Sequence, residues 1–409
     1  MISFDDLANP QRRALEVVRA VAAEKNCRPY LVGGPVRDLL LGRPAIDIDL
    51  TLEEGSSTLA RAVARSINGR VRSFPQFLTY KVLAEDFPEI DIATARTERY
   101  REPGALPSVS AGTLNDDLLR RDFSINAIAL DISNTEIHDP SGGERDVKQR
   151  VVRVLHDQSF IDDPTRIFRA IRLAARLDFK IEPHTAELMH AAIRGGALGT
   201  VSKERLWREL FLAFEEADAP GVVTALIRSG ALDAVIGPRT IDAADLERAQ
   251  KVAQADPTLD REVLFTSAAL KGNASPVDLE GSGFSQKRTR NVVQIANELP
   301  RFIDTLAEAT SDRQRFRLLK YASPEMLAVI AAAAPAESAH VAHFHDYRNF
   351  RLSLRGIELE VPLGPHIAKA LERTREAVFT GEIDEEQARS FAREMAIKYL
   401  NREPVTESK

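Results

Sequence analysis

The segment from Tyr30 to Thr51 constrains the fold of this chain more than any other. Tyr30-Leu31-Val32 has the aromatic and β-branched make-up of a short strand. It runs into Gly33-Gly34, and Val36 to Leu41 then carries a helical pattern that stops at Gly42. Ile46 to Thr51 alternates apolar and polar residues, which predicts a strand with Asp47 and Asp49 on one face and Ile46, Ile48 and Leu50 on the other. Two carboxylates side by side on a mostly buried strand repel each other and call for a cation, and their hard oxygens suit magnesium. A lone Asp-x-Asp fits an exposed edge strand, and a lone Gly-Gly pair fits a tight turn. In this order and spacing they point to a site for a triphosphate and its metal. Glycines let the backbone approach a phosphate, and the helix start offers free N–H donors. Arg37, near that helix start, can add a charge-assisted bond to a phosphate oxygen.

Three further groups extend the site. A two-metal scheme, in which one ion activates an attacking 3′-hydroxyl and the other clamps the triphosphate and leaving pyrophosphate, wants a third carboxylate. Asp91, in Glu89-Ile90-Asp91-Ile92-Ala93-Thr94, is the candidate, on a neighbouring strand. Arg120-Arg121-Asp122-Phe123-Ser124-Ile125-Asn126-Ala127 is expected to be helical. Asp122 and Asn126 would then share a face one turn apart, where they can grip vicinal hydroxyls, with Arg121 reaching a phosphate. In Asp162-Asp163-Pro164-Thr165-Arg166, Asp163 reads as an N-cap and Pro164 as the first helical residue. Arg166, Arg169 and Arg172 recur every three residues and can face a common ligand, while Ile167, Phe168, Ile171 and Ala174 pack the other side. With Arg176 these cations repel unless anions lie opposite. A carboxylate and a guanidinium together can also imitate the Watson–Crick partner of a base.

Up to about residue 155 helical and strand patterns alternate, which indicates an α+β unit. From about Ser159 the strand signals fade and the rest is nearly all α, with breaks near Gly195-Gly196, Gly281 to Gly283 and Ser323-Pro324. No stretch approaches the roughly 20 apolar residues of a membrane helix, and Met1 to Leu7, with Asp5 and Asp6, do not read as a signal peptide. A single cysteine, Cys27, excludes an internal disulfide framework and a cysteine-based zinc cluster, and suits a reducing cytoplasm. The net charge of −6 argues against a large nonspecific nucleic-acid surface. Local basic clusters remain at Lys287-Arg288-Thr289-Arg290, Arg313-Gln314-Arg315-Phe316-Arg317 and Arg348-Asn349-Phe350-Arg351, as RNA contacts or as solvated helix faces.

Together these motifs resemble the class II tRNA nucleotidyltransferase and bacterial poly(A) polymerase family of the polymerase-β-like superfamily, strongly over residues 28 to 215 and loosely beyond. The resemblance implies a nucleotidyltransferase head at 1–155, a helical nucleotide-selecting neck at 156–215, a helical body at 216–320 and a tRNA-binding helical tail at 321–409. It implies that Gly33, Gly34, Arg37, Asp47 and Asp49 hold triphosphate and Mg2+. Arg121, Asp122 and Asn126 would meet phosphate and ribose. Asp163 and Arg166, with Arg169 and Arg172, would serve as an amino-acid template for CTP and ATP. Asp162 stands where the family has glutamate, one methylene longer. The implied activity is addition of CCA, or part of it, to the tRNA 3′ end. CC-adding, A-adding and poly(A) polymerase are variants of the same chemistry, and the Pro-, Gly- and Ser-containing stretch from Thr97 to Asn115 is expected to form mobile loops governing the choice. His345-Asp346 lacks the partners of an HD phosphohydrolase site and reads as helix surface.

Overall fold

The computed structural model of the protein describes residues 9–44 and 47–401. Its contacts divide into two compact units. The first runs to Arg239 and includes Glu280–Gly283; the second comprises Thr240–Leu279 and the chain from Phe284.

The first unit begins with α1 (Asn9–Lys25), β1 (Tyr30–Val32), α2 (Gly34–Leu40), β2 (Ile48–Leu52), α3 (Ser56–Ser66), β3 (Arg70–Phe74), β4 (Thr79–Ala84) and β5 (Phe87–Thr94). There follow β6 (Arg96–Arg99), β7 (Ser108–Ala111), α4 (Leu114–Leu119), β8 (Ala129–Asp131), β9 (Ile137–His138) and α5 (Gly143–Gln149). Seven strands form one sheet in the order β3-β4-β5-β2-β1-β8-β9. Within it β2 and β5 run parallel and the other neighbours antiparallel. Ile48, Leu50 and Leu52 of β2 and Ile90 and Ile92 of β5 are buried, and α1 and α3 cover this face, contributing Leu15, Val18, Leu59 and Val63. Alternation therefore leaves the polar residues of β2 and β5 on the opposite face. Asp47 itself lies just before β2 and is exposed, so the strand starts one residue after it; Ile46 falls outside the described residues.

Two expectations are corrected here. Arg120 to Ala127 is not an α-helix: α4 ends at Leu119, and only a 3-10 turn, Ser124–Asn126, follows. Phe123 is fully buried and extended (φ −137°, ψ 150°), bridging Val154. Its burial overrides local helix propensity. Nor is Thr97 to Asn115 simply loop: β6 and β7 pair antiparallel, from Arg96 opposite Ala111 to Arg99 opposite Ser108.

The unit continues through β10 (Val151–Val152), α6 (Ser159–Asp162), α7 (Arg166–Leu177), β11 (Lys180–Ile181), α8 (Pro183–Arg194), α9 (Lys203–Phe214), α10 (Ala219–Ser229) and α11 (Asp233–Ile236). The helical run is interrupted between α6 and α7 at Asp163-Pro164-Thr165. Proline pushes the preceding residue out of the α region, and Asp163 sits at φ −136°, ψ 92°. The aspartate thus lies two residues before the N-cap of α7, Thr165, rather than on it, although Asp163 Oδ1 still accepts from the Thr165 N–H at 3.2 Å.

The second unit is helical among the described residues: α12 (Ala243–Ala255), α13 (Arg261–Ala269), α14 (Gln286–Ala307), α15 (Asp312–Leu319), α16 (Pro324–Ala333), α17 (Pro335–Asn349), α18 (Pro365–Phe379) and α19 (Ala388–Leu400). Asp260, Ser285, Ser311 and Ser323 cap α13 to α16 by accepting backbone N–H bonds. The basic clusters divide into paired and exposed cations. Arg288 is committed to Asp260 at 2.7 and 2.8 Å and stacks on Phe284. Arg315 is held by Asp312 and by the Ala309 carbonyl. Lys287, Arg290, Arg317, Arg348 and Arg351 are exposed.

Gly143, the first residue of α5, is a second packing constraint: a Cβ there would collide with the Ser124 carbonyl oxygen and Ile128. Gly143→Ala is expected to destabilise the fold by about 1–3 kcal/mol, read as a fall in denaturation midpoint; an unchanged midpoint would mean that the two segments separate freely.

Candidate active site

Register brings the acidic residues together. Asp49 on β2 lies directly opposite Asp91 on β5, and Asp91 lies opposite Lys81 on β4. Asp47 and Asp49 line a cleft of about 810 Å³. Burial, reinforced by the charges of Asp91 and Asp47, pushes the Asp49 carboxyl up to about 6, against the opposing pull of Arg121 and Lys81. Two oxygen donors carrying this negative charge fit a hard divalent cation. Asp91, the expected third carboxylate, is thus one strand away from Asp49 on the same face of the sheet. The Lys81 ammonium donates to Asp91 Oδ2 at 3.0 Å and also pairs with Glu89.

The Gly-Gly turn sits beside these carboxylates. Gly33 has φ 76°, and a Cβ there would stand 2.9 Å from the Arg121 guanidinium. The close approach and the left-handed backbone both favour glycine. Arg37 does not project freely toward a ligand. It is buried, donating through Nη1 to Asn126 Oδ1 at 2.7 Å and through Nε to Asp38 Oδ1 at 2.9 Å.

Asp122 is the hub of the next layer. Its Oδ2 accepts two bonds from Arg169, at 3.0 and 2.6 Å. Its Oδ1 accepts from the Phe123 N–H at 2.9 Å and from Asn126 Nδ2 at 3.0 Å. The expected Asp122–Asn126 contact is therefore present, made by a 3-10 turn instead of a helical one. Burial alone would raise this carboxyl, but the Arg169 charge and the bonds from Asn126 and Arg169 outweigh it and hold it below its ordinary value. With about four acceptor positions on a carboxylate, Asp122 is saturated. Nearby, buried Asp117 accepts from both Arg120 and Arg121 and sets their direction.

The arginines of α7 meet their anions in the protein itself. Arg169 pairs with Asp122; Arg172 pairs with Glu209 at 2.8 Å and Glu216 at 3.2 Å; Arg176 also pairs with Glu216. Arg166 is buried, donating to Ser159 Oγ at 2.7 Å and to the Arg120 carbonyl at 3.0 Å. Asp163 Oδ1 accepts from Thr165 and from Arg205 at 2.9 Å, and among the described residues no hydrogen bond falls on its Oδ2. Arg166, Arg169, Arg172 and Asp163 all line the same cleft as Asp47 and Asp49, with Gly33, Gly34, Arg37, Arg121, Asp122 and Asn126. Asp162 is not among the lining residues.

Sequence reasoning overlooked Glu98, Tyr100, Arg43, Asp38 and Arg205. Glu98 accepts from Arg120 at 2.6 Å and lines the cleft with Tyr100. Arg43 is exposed on the cleft, with no ion pair among the described residues. Arg205 donates to both Asp163 and the Gly104 carbonyl, which ties the turn after β6 to the start of α7. Only Asp38, beside Arg37 in the helical pattern after Gly33-Gly34, carried a local signal; the others arrive through long-range contacts.

The raised Asp49 sets a pH expectation for the metal-free protein. The folded state holds this proton more tightly than the unfolded chain, so stability falls as pH rises from about 4 to about 6 and stays low above. Asp49→Asn is therefore expected to stabilise the metal-free protein at pH 8 by about 3 kcal/mol. Chemical denaturation at pH 8 measures this, and equal midpoints would contradict it.

Comparison with known proteins agrees with this geometry. Residues 29–153 match the family model for the poly A polymerase head domain. An A-adding tRNA nucleotidyltransferase of Halalkalibacterium halodurans is 34% identical over 302 residues, covering 72% of this chain and 71% of the relative. An A-adding tRNA nucleotidyltransferase of Geobacter sulfurreducens is 38% identical over 58% of this chain, which spans only 28% of that relative. Among solved structures, an apo form of a CCA-adding enzyme matches with a TM-score of 0.80 at 25% identity, covering 97% of this chain and 96% of that one. A nucleotidyltransferase head followed by helices, an acidic pair in an arginine-lined cleft and a relative matched over most of its length lead to one conclusion: this chain belongs to the tRNA nucleotidyltransferase family.

Proposed function

We propose that this chain adds CCA, or part of it, to the 3′ end of tRNA from CTP and ATP without a nucleic-acid template, releasing pyrophosphate. The observation that carries the reading is the joint presence, in one cleft, of Asp47 and Asp49, eight arginines, and Asp163 with Arg166. The carboxylates supply a metal position, the arginines a polyanion position, and the last pair a base-recognising edge. A second reading, addition of the terminal A alone, is favoured by the A-adding names of the two relatives above.

Asp47 and Asp49 would hold Mg2+, which on binding promotes attack by the hydroxyl and offsets charge on the triphosphate. The 3′-hydroxyl gives up its proton to solvent, its oxygen forms a bond to the α-phosphorus, and the bond from that phosphorus to the α,β-bridging oxygen breaks, so that pyrophosphate leaves with the electron pair. Arg43 and Arg121 stand where they can bind phosphate oxygens. Saturated Asp122 orients Arg169 and Asn126, and Asn126 retains one N–H for a ribose hydroxyl. Asp163 Oδ2 can accept from a base amino group while an unused Arg166 N–H donates to a ring nitrogen or carbonyl. In this reading residues 1–155 perform the chemistry, 156–215 choose the nucleotide, and 216–320 and 321–409 hold RNA through exposed cations such as Arg317 and Arg348.

Incubation with tRNA ending before its last three nucleotides, given CTP alone, ATP alone and then both, and with tRNA ending in CC given ATP, tests the reading by product sequencing. Addition of two C residues from CTP and CCA from both is expected; A added only to the CC-ended tRNA would select the second reading, and failure to extend any substrate would refute both. Asp163→Ala is expected to shift the preference between CTP and ATP by about tenfold, the value of one lost hydrogen bond. An unchanged ratio of kcat/KM values would return Asp163 to its turn.

A further inference from the structure

Three side chains stand in line across adjacent strands on one face of the sheet. They are Lys81 on β4, Asp91 on β5 and Asp49 on β2, each directly opposite the next. Lys81 Nζ reaches Asp91 Oδ2 at 3.0 Å and Glu89 on the same strand. Lys81 and Asp91 keep only 31% and 32% of their side-chain exposure. The other oxygen, Asp91 Oδ1, is buried with no hydrogen-bond partner. An unpartnered buried carboxylate oxygen is costly, and here it lies one interstrand spacing, about 4.8 Å, from the strand that carries Asp49.

We propose that Lys81 is a built-in counter-cation of the acidic site: it fixes Asp91 in place, balances the carboxylates when no metal is bound, and thereby weakens their hold on a divalent cation. The inference rests on the assignment of Asp49 to the metal. Lys81 and Arg121 both offset the negative charge around Asp49, to which Asp91 and Asp47 contribute. A positive charge about two strand spacings from a divalent cation repels it in a partly buried setting, and removing that charge strengthens the metal site. Asp91 thus acts through its charge and position rather than as an independent third ligand, and Lys81 is a positioning residue, not a catalytic one. The arrangement also accounts for a stable sheet before metal arrives, because an isolated cluster of like charges destabilises the fold it sits in.

The test uses the full chain, Lys81→Met and Lys81→Arg, with Mn2+ as probe, followed by its paramagnetic signal in solution. Lys81→Met is expected to tighten Mn2+ binding roughly three- to tenfold and to lower the Tm of the metal-free protein by about 2–4 °C. Lys81→Arg keeps the charge and should behave as the parent. Asp49→Asn, in the parent and in Lys81→Met, separates the two layers of inference. If it leaves Mn2+ binding unaltered, the metal assignment itself fails. If it abolishes binding while Lys81→Met leaves the affinity unchanged or weaker, the counter-cation role alone is overturned.

Discussion

The cleft depends on one buried carboxylate. Asp122 has almost no contact with solvent, so each of its acceptor positions requires a donor, and the chain supplies them from three places. Phe123 offers its N–H, Asn126 its amide and Arg169 its guanidinium. Because Asn126 also accepts from Arg37, and Arg37 donates to Asp38, one chain of bonds runs from α7 through the 3-10 turn to α2. Removing one of these donors leaves the buried Asp122 carboxylate short of a partner, which costs about 1–3 kcal/mol. The first helix after the Gly-Gly turn and the arginine helix are thereby held in one geometry.

The same logic extends to the other arginines. A cleft lined by eight guanidinium groups would destabilise a fold if each were unpaired. Instead Asp117 stands behind Arg120 and Arg121, and Glu209 and Glu216 stand behind Arg172 and Arg176. Each carboxylate offsets charge and fixes a direction, leaving further N–H donors for a polyanion. Donors fixed before the ligand arrives need little reorganisation when it binds, which is where electrostatic catalysis gains most. The acidic pair follows the opposite rule. Burial and mutual repulsion raise Asp49, storing an affinity for cations that the arginine side of the cleft does not satisfy.

Much of this was legible in the chain, and the gaps have physical causes. Alternation exposed Asp49 opposite Ile48 and Leu50, and the strand around Asp91 was recognisable from its own pattern. The motif residues from Gly33 to Arg172 were found because each carries a local signature. Lys81 was invisible as a partner, since register across β4 and β5 is not written in either strand alone. The helix expected across Asp122 failed because Phe123 is drawn into the core and pairs with Val154, a contact made 31 residues away. Arg315 looked available in a basic run, but Asp312 and the Ala309 carbonyl claim it. Charge read along a sequence overstates what a surface offers, because partners are supplied by packing.

The central claim is that Asp47 and Asp49 serve the transfer step rather than RNA capture. Single-turnover incorporation of a labelled nucleotide by Asp47→Asn and Asp49→Asn, with tRNA affinity measured in parallel by filter retention, tests it most directly. A loss of roughly a thousandfold or more in rate, with tRNA affinity unchanged, is the predicted result. Incorporation at close to the parent rate in either variant would contradict the account.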